Sequence, residues 1–134
     1  MLGELIGEIR GQAIGTRVLR DEGQGPRMEA TDQGSGELYG VSVNQTVTYV
    51  GAQRPNGTIL GEGTGITMTV DGESATFRGY GVGTFVRPGA VSWRGTLLYE
   101  TSSKKLARLN GIAVLFEYDI DESGKSEGRL YEWK

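Results

Sequence analysis

The chain has no cysteine and no histidine. Without cysteine it has no disulfide framework, no thiolate-held zinc and no thiol nucleophile. Without histidine it has no Ser-His-acid triad, no imidazole-ligated metal and no haem with a proximal histidine. Charge of either sign is not in excess: 14 basic against 17 acidic residues give a net charge of −3. That balance offers no basic face for nucleic acid. No apolar run approaches the ~18 residues of a membrane span, and Met1 to Arg10 is too mixed for a signal peptide. A cytoplasmic location is expected, with no membrane or nucleic-acid partner and no cofactor or metal.

Glycine, by contrast, is abundant: 23 of 134 residues, where average composition would give roughly nine. The spacing is informative. Gly61, Gly63 and Gly65, then Gly79, Gly81 and Gly83, recur at every second residue, which places each set on one face of an extended strand. A phosphate-binding loop does not fit, because the third glycine comes too early and no helix follows. Asp119 to Gly124 begins like a calcium loop, but its twelfth position is Leu130 and no helices flank it. Lys104, Lys105 and Arg108 read as a solvated basic face.

Strand-like runs and turn signals alternate along the whole chain. Gly3–Leu19 reads as one long bent strand or two short ones, and Arg27–Asp32 as a short strand. Val41, Val43, Gln45, Val47 and Tyr49 alternate with polar residues. Thr58–Val70 and Glu73–Val86 flank Asp71-Gly72, a strong hairpin signal. Ala90–Thr101, Ile112–Ile120 and Ser126–Trp133 complete the set, and a short helix is expected near residues 102–109. The fold class is therefore all-β: a closed antiparallel meander barrel of about eight strands, one domain over residues 1–134.

A two-residue turn at Asp71-Gly72 would set Leu60 opposite Gly83, Glu62 opposite Gly81 and Thr64 opposite Gly79. Leu60, Ile66, Met68, Val70 and Phe77 then face inward beside three glycines that leave space. A two-residue turn at Pro88-Gly89 would place Arg94 opposite Gly83, in the same space as Glu62. Glu62, Thr64, Gly79, Gly81, Gly83 and Arg94 are the candidate ligand-binding residues. The same register turns Trp93 and Tyr99 outward; either a bulge near Arg87 reverses the faces, or these aromatics cover an oligomer interface.

Ser92-Trp93-Arg94-Gly95, Tyr99-Glu100-Thr101-Ser102 and Lys105-Leu106-Ala107-Arg108-Leu109-Asn110-Gly111, with Phe116-Glu117-Tyr118 and Trp133, resemble a family of small uncharacterised bacterial and archaeal proteins. Through it the chain is similar to allene oxide cyclase-like barrels, a calycin-type eight-stranded fold. The resemblance implies a closed barrel with a partly apolar lumen; it carries no cyclase activity and no catalytic positions.

Three functions fit this reading. The first is a barrel that binds a small apolar or amphipathic molecule. The second is a metal-free isomerase, cyclase or lyase using Glu62 and Arg94 in the lumen, with Glu100 and Tyr99 in reserve. The third is a filled barrel that builds a homo-oligomer.

Overall fold

The structure, a computed structural model, describes residues 2–133; Met1 and Lys134, the two ends of the expected domain, lie outside them. Eight antiparallel strands form a closed barrel in sequence order. They are β1 (Leu2–Leu19), β2 (Arg27–Leu38), β3 (Val41–Gln53), β4 (Thr58–Thr69), β5 (Ser74–Arg87), β6 (Ala90–Thr101), β7 (Val114–Ile120) and β8 (Lys125–Trp133). Closure leaves no edge strand exposed. Among the described residues no helix is long and apolar enough to cross a membrane.

Two expectations about elements need correcting. β2 runs six residues past Asp32, to Leu38. The segment expected to be a helix near residues 102–109 forms only a 3-10 turn, Ala107–Gly111. A run this short cannot sustain α-helical hydrogen bonding by itself, and tertiary contacts dictate its shape.

Those contacts make the segment a plug. Because the strands run strictly up and down, the β6–β7 connection lies at the same end as the β2–β3 and β4–β5 turns. Leu106 and Leu109 are fully buried there, in a cluster with Leu38, Val43, Ala75, Phe77, Tyr99 and Val114. The Asn110 side chain fixes the plug by a reciprocal pair: its Nδ2 donates to the Thr101 carbonyl and its Oδ1 accepts from the Thr101 N–H, both at 2.9 Å. Arg108 reaches Glu132 at 2.9 Å and Glu4 at 3.2 Å, and lies over the Tyr39 ring. The four connections at the opposite end, after β1, β3, β5 and β7, include no comparable plug.

Lys105 ties the plug to the β4–β5 turn through Asp71, at 2.7 Å, while Thr69 donates to the same carboxylate at 2.6 Å. Lys105 and Thr69 together hold the Asp71 carboxyl down at about 2. A depressed carboxyl stabilises the fold above its ordinary value, and the contribution disappears as pH falls towards 2. An NMR titration should find Asp71 half-protonated near pH 2. Between pH 4 and 2 the melting temperature of Asp71→Asn should fall less than that of the parent. An Asp71 titrating near 4 would contradict the contact.

The β4–β5 turn is also where the expected register fails. Thr69 N–H donates to Glu73 O, and Gly72, at φ 87°, donates back to Thr69 O. The loop therefore has three residues, Val70-Asp71-Gly72, with glycine at the left-handed position. The extra residue shifts the pairing by one, so that Gly61 faces Gly81, Gly63 faces Gly79 and Gly65 faces Phe77. A bulge between Phe85 and Arg87 shifts β6 likewise and sets Gly83 opposite Trp93 and Gly81 opposite Gly95. Trp93 and Tyr99 are consequently inside and buried. Of the two sequence alternatives, the bulge near Arg87 is realised, and this aromatic pair does not cover an interface.

Candidate functional site

The inner wall of β4–β6 carries seven glycines, Gly61, Gly63, Gly65, Gly79, Gly81, Gly83 and Gly95, and it serves to seat large side chains from other strands. A Cβ on Gly61 would lie 2.6 Å from the Trp93 ring, and one on Gly95 would lie 2.8 Å from the Phe116 ring. Phe77 occupies the space over Gly65 in the same way, and Leu97 that over Gly79. The expected inward placement of Gly79, Gly81 and Gly83 holds, but much of the room they leave is taken by these rings.

What remains is a cavity of about 100 Å³. A water needs roughly 10–15 Å³ of such space, so the lumen has room for several waters or one compact molecule. Ile9, Val47, Phe77, Trp93, Leu97 and Phe116 supply its apolar lining. Asp32, Gln45, Tyr49, Tyr118 and Ser126 supply its polar groups.

The sequence-derived polar residues lie elsewhere. Glu62, Thr64 and Arg94 are exposed on the outer face, a correction that follows from the one-residue register shifts. Glu62 still borders the cavity, because Gly61 and Gly63 on either side have no side chains to cover its backbone. Arg94 does not meet Glu62. It pairs outside with Glu117 and Asp119, each at 3.5 Å, and Arg129 completes the cluster at 3.1 and 3.2 Å. Burial tends to raise the Asp119 carboxyl, but the Ser92 hydroxyl and the guanidiniums of Arg129 and Arg94 hold it below its usual value. Of the two reserves, Glu100 is exposed and Tyr99 is buried in the core at the plug end, outside the cavity lining.

The residues with chemical potential are Asp32, Tyr118 and Tyr49. Asp32 is 5% exposed, and none of the ion pairs among the described residues includes it. Its side-chain partner is Tyr118, whose hydroxyl donates to Oδ2 at 2.7 Å. Its other oxygen lies over Gly11, where any side chain would displace it. A buried carboxylate without a cation is costly to hold, which makes it unusual as a purely structural feature.

Both tyrosines are held firmly protonated. Burial raises Tyr118, with the nearby Tyr49 and the bond to Asp32 adding to the effect and Ser126 opposing it. Burial likewise raises Tyr49, partly offset by its hydrogen-bonding neighbour Tyr118. Tyr49 stands edge-on to Trp93, with ring centroids 5.8 Å apart, and to Tyr118 at 6.1 Å. The lumen thus offers one acceptor-only carboxylate, neutral phenol donors and aromatic walls. Such a set orients a flat molecule by one polar group and supports proton transfer in a water-poor space. Among the described residues no group of three acidic side chains is arranged to hold a metal ion.

Sequence reasoning missed Asp32 because the expected short strand, Arg27–Asp32, ends on it, whereas β2 continues to Leu38. Gly34 and Gly36 nevertheless repeat the period-two spacing seen at Gly61–Gly65. That signal extends the strand and puts Asp32 on the glycine face.

No protein-family model matches the chain, and no curated protein matches it. Solved structures do. A conserved protein of unknown function from Rhodopseudomonas palustris superposes with a TM-score of 0.81 at 16% identity, over 98% of this chain and 97% of that one. A β-barrel-like protein from Acinetobacter baumannii gives 0.82 at 15% identity, over 100% and 96%. A structure described as an enzyme from Penicillium herquei gives 0.68 at 16% identity, over 96% and 92%. At these identities the likeness is one of fold, and the chain shares its barrel with proteins of unknown function from distant bacteria.

Proposed function

We propose that the barrel binds a compact, largely apolar small molecule in its lumen, with one hydroxyl or other hydrogen-bond donor directed at Asp32. The observation that carries this reading is a buried carboxylate with no cation beside it, bordering a cavity whose walls are otherwise mainly apolar and aromatic. An ionised carboxylate only accepts hydrogen bonds, so it selects ligands that donate one. Tyr49 and Trp93 offer ring edges and faces to a flat partner. The resemblance to allene oxide cyclase-like, calycin-type barrels supports a lumenal ligand, as does the description of the fungal neighbour as an enzyme. A cytoplasmic setting fits the same reading.

The test uses phenol. In a Trp133→Phe background, Trp93 is the remaining tryptophan, and its emission should change saturably with one site per chain. Asp32→Ala should weaken phenol binding about 10- to 100-fold, the value of a hydrogen bond to a charged group. Benzene, which has no hydroxyl, should bind both proteins alike. Absence of saturable phenol binding, together with native mass spectra showing no carried small molecule, would overturn the reading.

A further inference from the structure

The arrangement of Asp32 and Tyr49 goes beyond binding. We propose that the lumen catalyses carbon-acid proton transfer through an enolate, exchanging the protons next to the carbonyl of a compact apolar ketone or, where the ketone is unsaturated, shifting its double bond. Asp32 is the base and Tyr49 the donor to the developing oxyanion. This inference rests on the binding reading and specifies the chemistry of the same site.

The geometry divides the labour. The Tyr118 proton is committed to Asp32 Oδ2, which fixes the carboxylate's orientation. Among the described residues the Tyr49 hydroxyl has no carboxylate partner; its neighbour is the Tyr118 oxygen, a weaker acceptor from which a ketone lining up in the cavity can draw the Tyr49 proton. A ketone whose oxygen accepts from Tyr49 would bring an adjacent C–H towards Asp32. No histidine is available anywhere in the chain for this role. A positioned carboxylate can take a proton from carbon, and a phenol placed at the developing oxyanion lowers the barrier.

The step balances without a co-reactant. The Asp32 carboxylate takes the proton from the carbon next to the carbonyl. The C–H electron pair becomes the C=C bond, and the carbonyl π pair moves to oxygen, which Tyr49 stabilises by its hydrogen bond. Return of the proton from Asp32 to the same carbon regenerates the ketone; return to a conjugated carbon gives the double-bond isomer. Nothing is oxidised or reduced.

The experiment follows deuterium uptake from D2O at the positions next to the carbonyl of cyclohexanone by NMR, with phenol binding measured in parallel. The intact protein should accelerate exchange at least 100-fold over an equal concentration of an unrelated barrel-free protein in the same buffer. Asp32→Ala should return to that background, and added formate should restore part of the rate, which a merely structural role for Asp32 would not explain. Asp32→Glu provides a second variant that keeps the carboxylate and should retain measurable exchange. Tyr49→Phe should slow exchange about tenfold or more while phenol still binds. If phenol binds but the intact protein exchanges at background rate, or if Asp32→Ala matches the parent, the proton-transfer inference fails while the binding reading stands. If phenol does not bind, both fail.

Discussion

Replacing Gly61 by valine should destabilise the barrel by about 1–3 kcal/mol, the usual cost of forcing atoms into a packed interior. The Trp93 indole lies across β3–β5 where Gly51, Gly61 and Gly83 present bare backbone. A Cβ would come within 3.4 Å of the ring at Gly51, 2.6 Å at Gly61 and 3.0 Å at Gly83. Only at Gly61 is the overlap too severe for a small adjustment, and the indole itself is buried with little freedom to move. Chemical denaturation should show the loss as a lower midpoint with an unchanged slope. Gly61→Val combined with Trp93→Leu should lose less than the two single changes added together, because the smaller side chain vacates the space the valine needs. Gly15, which meets nothing within 4 Å, is the control: Gly15→Ala should be neutral or slightly stabilising. A Gly61→Val barrel as stable as the parent would mean that the tryptophan is not seated on this wall.

Truncating Leu109 to alanine should cost more, about 2–5 kcal/mol. Leu109 is 0% exposed, on the inner side of the plug in a cluster with Leu106 and Val114. The plug has little room to settle into the void, because Asn110 is bonded in both directions to Thr101 and Arg108 is held by Glu132 and Glu4. Residual cavity volume is what makes such truncations expensive. Urea unfolding of Leu109→Ala should show the loss. Ala107→Ser, at an exposed position of the same turn, should change stability by less than ~0.5 kcal/mol. A small effect at Leu109 would mean that the plug rests on the barrel end without contributing to its core.

These two sites show why the strands were legible and the faces were not. Alternation, turn residues and the Asp71-Gly72 signal locate nearly every strand, and closure follows from their number and the short connections. Facing depends on single residues at the turns. The ordinary rule that the apolar face points inward also misleads at β4. Leu60, Ile66 and Met68 are between 40% and 54% exposed, while Gly61, Gly63 and Gly65 line the lumen. The inner positions carry glycine because Trp93, Tyr49 and Phe77 reach over them from neighbouring strands, and a single strand's pattern contains no record of its neighbours. The candidate site suffered twice from this. Two-residue turns point Glu62 and Arg94 inward, one residue out of the true registers, and a short strand ending at Asp32 hides the continuation to Leu38 that carries it to the lumen. Tyr118 was visible only as one more aromatic, since its partner lies 86 residues away.

Closure also determines how this chain can assemble. Seven strand pairings join neighbours along the chain, six of them across short connections and the β6–β7 pairing across the plug segment. The eighth joins the two ends, with Leu2 beside Trp133 and Gln12 beside Lys125. Bringing such distant segments together carries the largest loop-closure entropy of any pairing in the barrel. The β1–β8 seam is therefore the entropically costliest pairing in the barrel. Because that seam sets Leu2 beside Trp133, linking the two termini and reopening the chain at another connection would preserve every pairing while changing which one spans the greatest length of chain.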